Sequence, residues 1–166
     1  MHTWNLANLD AVTRGYMITE FESQKPIESS VFSEYGSTHY PGVMRDALEF
    51  GDPNSLIKQL DSRFFKDTKS NGYRLSKNDA AASFGGGQFN QYYMRGLCLR
   101  AEAEGVLELI VYRAKPSSNP RPEDDQKLGT RLNATEHLAD LRAHRDSPTH
   151  FGVPSGAHCG LSTKLP

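Results

Sequence analysis

A single glycine between a helical pattern and a strand pattern constrains the fold of this chain most. Residues 88–104 show an amphipathic helical pattern, and Gly105 stands where a left-handed residue ends a helix. The following residues, Val106–Ala114, alternate in side-chain direction as the residues of a strand do. A helix that turns directly into a strand can bury one helical stripe against one strand face. We therefore predict that this unit forms the centre of the core.

The predicted core consists of apolar side chains from this helix and this strand. They are Phe89, Tyr93, Leu97, Leu107, Leu109 and Val111. The opposite face of the helix is predicted to be polar and carries Gln88, Gln91, Arg95 and Glu102. Cys98 borders that polar face, and we expect it to be a small packing residue.

Other segments carry start signals for helices or the alternation of strands. Pro41 and the Asp52-Pro53 pair are typical of helix starts, and Asn133 is typical of an N-cap. Alternation predicts further strands at Tyr16–Glu22 and Cys159–Leu165. The predicted fold is α+β, with three to four helices packed on a small, mainly antiparallel sheet and with an extended N-terminal arm.

The first 41 residues combine loop-forming residues with large apolar side chains. Ser, Gly and Pro are frequent there, which favours turns and extended chain. The predicted organisation is therefore an extended N-terminal arm with one short strand at 1–41, followed by a single α+β domain at 42–166. Aromatic side chains on an extended arm are typical of partner anchors. The predicted partner-binding residues are Trp4, Phe21, Phe32, Tyr35 and Tyr40.

Charge and cysteine content exclude several classes of protein. The chain of 166 residues has 19 Lys and Arg against 20 Asp and Glu, a net charge of −1, which excludes a broadly basic protein but not a local basic patch. Nucleic acid is therefore not expected to be the main partner. The two cysteines, Cys98 and Cys159, cannot form a disulfide framework or a four-cysteine zinc site. Without a signal-peptide pattern or a long apolar run, we expect a soluble chain, cytoplasmic or within a virus particle, with no membrane partner.

Three consecutive glycines, Gly85-Gly86-Gly87, precede the central helix. Exposed backbone N–H groups at a helix start attract anions, but the Walker pattern needs Gly-Lys-Ser/Thr, and here Gln88-Phe89-Asn90 follows. The alternative is a flexible hinge, or close backbone packing that a Cβ would block. The sequence leaves open whether this segment is an anion site.

Titratable residues are scattered and form no recognisable catalytic or metal motif. The hypothesis of a nuclease pairs Glu108 with Lys115. Their odd separation in the sequence, however, places them on opposite faces of a strand. The acids Asp124 and Asp125 lie in a Pro-rich connection. A second group near the C-terminus contains His144, His150, His158 and Cys159, without the recurring spacing of a zinc site. We expect no catalytic residue, cofactor or metal ion.

The predicted function is that of a non-enzymatic structural or assembly protein that docks on other protein chains through its arm and loops. Such a protein would work in a homo- or hetero-oligomeric assembly, as a multi-copy component of a larger particle such as a virus or phage virion. The alternative hypothesis is a metal-dependent nuclease or another nucleic-acid-processing protein.

Overall fold

The computed structural model describes residues 3–146 and 148–166 and confirms the α+β fold. In chain order the helices are α1 (Ala11–Ser23), α2 (Glu34–Phe50), α3 (Pro53–Gln59), α4 (Lys77–Ala81), α5 (Gln88–Glu104), α6 (Pro122–Asp125) and α7 (Ala134–Ala143). A short 3-10 turn covers Ser62–Phe64, and a π-helical segment, Ala82–Gly87, joins α4 to α5. None of the described helices is long and apolar enough to cross a membrane.

The sheet has three antiparallel strands, β1 (Glu108–Arg113), β2 (Arg131–Asn133) and β3 (Leu161–Lys164), in the order β2-β1-β3. The strands predicted at Val106–Ala114 and Cys159–Leu165 are confirmed with shorter bounds. Strand β2 was not predicted because its three residues are too few to show alternation. It pairs with β1 with Leu132 opposite Leu109.

Helix α5 is the central element, as the sequence predicts. Gly105 ends it in the left-handed conformation at φ 72°. Five of the six predicted core residues are fully buried: Phe89, Tyr93, Leu97, Leu109 and Val111. The prediction for Leu107 is wrong, because its side chain is 75% exposed. Leu107 lies one residue before β1, where its carbonyl accepts a hydrogen bond from Ala134 N but no layer covers its side chain.

The predicted polar face of α5 is also buried over most of its length. Helices α1 and α7 both pack against α5, so the helix has little surface left for water. Gln88 and Gln91 donate from their side-chain amides to the carbonyls of Arg145 and His144 at 2.9 and 3.2 Å. The polar side chains are therefore used to hold the backbone that follows α7.

The prediction of an extended N-terminal arm is wrong for residues 11–23 and 34–41, which are helical. Helix α1 covers the predicted strand Tyr16–Glu22, and Asp10 caps it by accepting from Thr13 N at 3.0 Å. Alternation and helical spacing both fit this short run. The helix prevails because Met17, Glu20 and Phe21 lie at the spacing of one buried helical face.

The predicted start of a helix at Pro41 is also wrong, because α2 begins two turns earlier. Ser33 caps it by accepting from Gly36 N at 3.0 Å, and Pro41 lies inside the helix. The predicted boundary between residues 41 and 42 therefore falls within α2. The later start signals are confirmed: Asp52 caps α3 with Pro53 in its first turn, and Asn133 caps α7.

Candidate functional site

The five predicted partner-binding aromatic residues do not form an exposed surface. The side chains of Trp4, Phe21, Phe32 and Tyr40 are between 1% and 9% exposed and belong to the chain's own core. Tyr35 is half-buried and packs edge-on against Phe64, with 5.1 Å between ring centroids. Asp10 and Ser33, two polar residues of this segment, cap helices α1 and α2. The aromatic side chains are therefore ordered by this chain, and the four buried ones leave little surface for a partner.

The three glycines are explained by close packing on three sides. A Cβ on Gly85 would lie 2.7 Å from the Ile57 side chain, and one on Gly86 would lie 2.5 Å from the indole nitrogen of Trp4. A Cβ on Gly87 would lie 2.6 Å from the carbonyl oxygen of Ala157. The segment is not the start of a helix either, because α4 leads into it without a break. Its N–H groups are therefore not presented as an anion site.

Of the nuclease candidates, the structure brings Lys115 and Asp124 to the lining of one cleft but leaves Glu108 outside it. Glu108 is exposed at the start of β1, whereas Asp124 lies buried in α6. Among residues 3–146 and 148–166, no three or more His, Cys, Asp or Glu side chains are grouped so that they could hold a metal ion. Cys98 is fully buried among core residues, as predicted.

A cleft of about 520 Å³ lies between the segment that leaves β1 and the segment that enters β3. Three cationic side chains line it: Arg113, Lys115 and Arg121. From the other wall, His158 and the sulfur-bearing Cys159 face the same space. The hydroxyl-bearing residues Ser117, Ser118 and Ser155 complete the polar lining. These residues form a local basic patch, which the net charge of −1 for the whole chain does not exclude.

Two glycines place the walls of this cleft. The carbonyl of Gly160 accepts hydrogen bonds from Ala114 N and Lys115 N, at 2.8 and 3.1 Å, and ties the two segments together. A Cβ on Gly160 would collide with the carbonyl oxygen of Lys115, so only glycine fits there. The contact of Gly87 with Ala157 fixes the far end of the second wall.

The loop that leads into this wall is held by the buried carboxylate of Asp140. The two oxygens accept from His150 N and Phe151 N at 2.7 and 2.9 Å. Thr149 adds a second anchor, since its hydroxyl accepts from Val153 N at 2.9 Å and donates to Pro154 O at 3.0 Å. The cleft wall therefore continues from a rigid loop.

The three cations of the cleft differ in how far they are already neutralised. Arg113 pairs with Asp125 at 2.9 Å. The Lys115 ammonium lies 5.2 Å from the centre of the Trp4 ring, and burial lowers the pKa of this amine below its usual value. Arg121 is exposed and makes no ion pair within the described residues. Lys115 and Arg121 are therefore available to an incoming anion, and an anion would offset the cost of burying the Lys115 charge.

Asp124 is the one carboxylate in the lining of this cleft. It is 6% exposed, and its Oδ1 accepts no hydrogen bond from any described residue. The nearest cation is Lys127, whose Nζ lies 3.6 Å from this oxygen. A buried acceptor without a donor is costly. This oxygen is closed to solvent, so a ligand in the cleft cannot reach it unless the wall shifts.

Ser83 and His158 form a pair of nucleophile and base type beside this cleft. The Ser83 hydroxyl lies 3.4 Å from His158 Nε2. This distance is longer than the roughly 2.6–3.2 Å of a working nucleophile–base pair. No carboxylate among the described residues hydrogen-bonds to His158 to orient its ring. The pair therefore offers polar contacts to a ligand and lacks the parts of a hydrolytic triad.

A smaller cavity of about 190 Å³ adjoins the cleft beside the π-helical segment. It shares Gly156 and Ala157 with the cleft and is lined by Phe84, Gln88 and Arg145, among others. The Arg145 Nη2 donates to Lys25 O at 2.9 Å, whereas its buried Nε has no hydrogen-bond partner within residues 3–146 and 148–166. π-helical turns are rare in proteins, and those that do occur often lie at functional sites.

Sequence reasoning did not identify the cleft residues because it treated 115–130 as an exposed connection. One signal was present: Arg113, Lys115 and Arg121 occur within nine residues that contain two prolines and few apolar side chains. His158 was considered only as a metal ligand. The sequence alone could not show that this connection lies against residues 155–160 in the folded chain.

Comparisons of this chain with protein-family models, with curated proteins and with solved structures found no match.

Proposed function

We propose that this chain is a binding protein for phosphate-bearing ligands and that the cleft between residues 113–121 and 155–160 is the binding site. The observation that carries the proposal is the lining of this cleft, in which three cationic side chains stand against one carboxylate. The chain as a whole has a net charge of −1, so this balance is local. Anions are held in proteins by such groups of Arg, Lys and hydroxyl donors.

The assembly function predicted from the sequence stays a prediction, but it has lost the surface on which it was based. Its five aromatic anchors lie in the chain's own core or pack against it. A docking function would now need a different surface. The nuclease alternative keeps the basic cleft but lacks grouped metal ligands within the described residues.

Thermal unfolding in the presence of pyrophosphate tests the proposal. Pyrophosphate should raise the Tm of the wild-type chain in a concentration-dependent way, because a ligand that binds only the folded state stabilises it. Arg121→Glu should weaken the apparent affinity at least about tenfold, since it places a negative charge in the cleft. Lys69→Glu makes the same change of charge at an exposed position outside the cleft and should leave the affinity unchanged.

Two outcomes would contradict the proposal. One is the absence of any change in Tm at millimolar pyrophosphate. The other is an equal loss of affinity in Arg121→Glu and Lys69→Glu, which would mean that pyrophosphate responds to net charge and not to the cleft.

A further inference from the structure

Three depressions on the surface of this chain have walls in common. The cleft shares Gly156 and Ala157 with the cavity beside the π-helical segment. That cavity shares Ile27 with a third depression of about 670 Å³, which lies between the loop 25–32 and the start of α2. The three therefore follow one another across the surface, and together they are called the groove below.

Cationic side chains are distributed along the whole groove. Lys25 lines the third depression, Arg145 lines the middle cavity, and Lys115 and Arg121 line the cleft. Carboxylates occur singly in each part, so the cations are in excess only in the cleft. A ligand that contacts the full groove must therefore carry negative charge at the cleft end and offer donors as well as acceptors elsewhere.

The middle of the groove is lined by one aromatic side chain, Phe84. Phe84 is half-buried there, and its ring is supported by Phe32 at 4.6 Å between centroids. Beside it, Gly87 and Gly156 add no side chains to the walls. A planar ring entering this cavity can stack on Phe84 while the amide of Gln88 borders its edge.

The size of the middle cavity limits what can pass through. At about 190 Å³ it is smaller than the roughly 300–1,000 Å³ of pockets for drug-sized ligands. One base or one sugar can be accommodated there, whereas a double helix is too wide to enter. An extended single chain of small units is the shape that matches three depressions in series.

We propose that the groove binds single-stranded nucleic acid, with phosphates at the cleft cations and at Lys25 and with a base stacked on Phe84. The proposal rests on the proposed phosphate-binding function of the cleft and extends it to a polymer. Cationic grooves with an aromatic stacking surface are how proteins hold single strands without sequence preference. DNA and RNA share this chemistry, so both are tested.

An acidic peptide fits the same groove less well. The carboxylates of Glu28, Asp146 and Asp124 line its three parts and would repel peptide carboxylates and phosphates alike, so they do not separate the two ligands. The distinguishing group is the planar base, which a nucleotide offers to the ring of Phe84 and a glutamate-rich peptide lacks.

Fluorescence anisotropy with labelled dT3, dT6 and dT12 provides the test, with rU12, a 12-base-pair duplex and a glutamate-rich peptide as further probes. The affinity should rise from dT3 to dT12, and dT12 or rU12 should bind at least about tenfold more tightly than the duplex or the peptide. With three to four phosphates held, log Kobs should fall with log salt at a slope of about −2 to −3.

Three variants locate the binding. Lys25→Glu should weaken dT12 at least about fivefold while leaving the affinity for pyrophosphate unchanged, because Lys25 lies outside the cleft. Phe84→Leu keeps an apolar side chain in the aromatic cluster but removes the stacking surface, and it should also weaken dT12. Lys69→Glu, which lines none of the three depressions, should have no effect.

The outcomes separate this inference from the function on which it rests. If pyrophosphate binds at the cleft but dT12 binds no more tightly than dT3, or if Lys25→Glu changes nothing, the groove does not hold a strand and the inference is overturned alone. Binding of the duplex or of the peptide as tight as that of dT12 also overturns it. If pyrophosphate itself does not bind, both proposals fail.

Discussion

Arg95 on α5 and Glu20 on α1 form an ion pair across the core, with 3.4 Å between Arg95 Nε and Glu20 Oε1 and with each side chain 2% exposed. The contact is close, but its geometry is not that of a hydrogen bond. Arg142 on α7 donates from Nε and Nη2 to the two oxygens of the same carboxylate at 3.0 and 2.7 Å. One buried carboxylate thus connects three helices.

Replacing Glu20 with Gln should destabilise the chain by about 3–5 kcal/mol, because a buried charge would remain without its counter-ion. Burial lowers the pKa of Arg95 to about 10, so its guanidinium stays charged at neutral pH. Glu22→Gln is the matched control, since Glu22 lies on the same helix in an exposed pair with Arg45. That change should cost less than about 1 kcal/mol. Equal losses in urea unfolding would show that the buried pair has no special role.

The π-helical segment should not accept a Cβ at its last residue. In Gly87→Ala the new carbon would lie 2.6 Å from the carbonyl oxygen of Ala157, so the cleft wall must shift. We expect a loss of about 1–3 kcal/mol, as for other overpacked sites. Gly15→Ala in α1 has open space around the new carbon and should instead raise stability by about 0.5–1 kcal/mol. A stabilised Gly87→Ala variant would contradict the close packing described for the glycines.

Two leucines two residues apart should respond very differently to truncation. Leu109 is fully buried, so Leu109→Ala should cost about 2–5 kcal/mol. Leu107 is 75% exposed, so Leu107→Ala should change stability by less than about 0.5 kcal/mol. Chemical unfolding of both variants measures the difference. Similar losses would mean that the placement of the strand end is wrong.

The buried His137 should make the chain sensitive to mild acid. Its ring is fully buried, neither nitrogen has a partner within the described residues, and burial lowers its pKa to about 4. Unfolded, the ring takes up a proton below about pH 6.5 that the folded state does not bind. The contribution of His137 to the free energy of unfolding should therefore be constant above pH 6.5. It should fall by up to about 3 kcal/mol between pH 6.5 and pH 4.

His137→Leu removes this contribution and keeps a side chain of similar size. The variant should lose less stability than the wild-type chain between pH 7 and pH 4.5 in urea unfolding. His39→Leu, at an exposed position on α2, should retain the wild-type pH dependence. If His137→Leu shows the same pH dependence as the wild type, the ring is not neutral and unpartnered in the folded chain.

Local signals predicted much of the fold, because they act within a few residues. Three local signals were correct: Gly105 ends α5, Asp52-Pro53 begins α3 and Asn133 caps α7. Each acts through the backbone geometry or the hydrogen bonds of residues next to it in the chain. The N-terminal helices were missed because Asp10 and Ser33, which cap them, were read as parts of a loop. A seven-residue run such as Tyr16–Glu22 satisfies both periods, and tertiary burial decides between them.

The candidate site could not be predicted, because it is built by contacts between distant segments. Lys115 and His158 line one cleft only because Gly160 ties the two segments together. The polar face of α5 is a similar case. A polar helical face ordinarily meets water, but Gln91 and Arg95 are covered because α1 and α7 pack on the same helix. Only the assembled fold contains that information.

The central claim is that the cleft between residues 113–121 and 155–160 holds a phosphate-bearing ligand. The most direct measurement is a titration of the isotopically labelled chain with pyrophosphate, followed by two-dimensional NMR of its backbone amides. The account predicts saturable shifts concentrated at residues 113–121 and 155–160, which are lost in Arg121→Glu and kept in Lys69→Glu. Shifts that are absent, that do not saturate, or that are spread over the whole surface would contradict it.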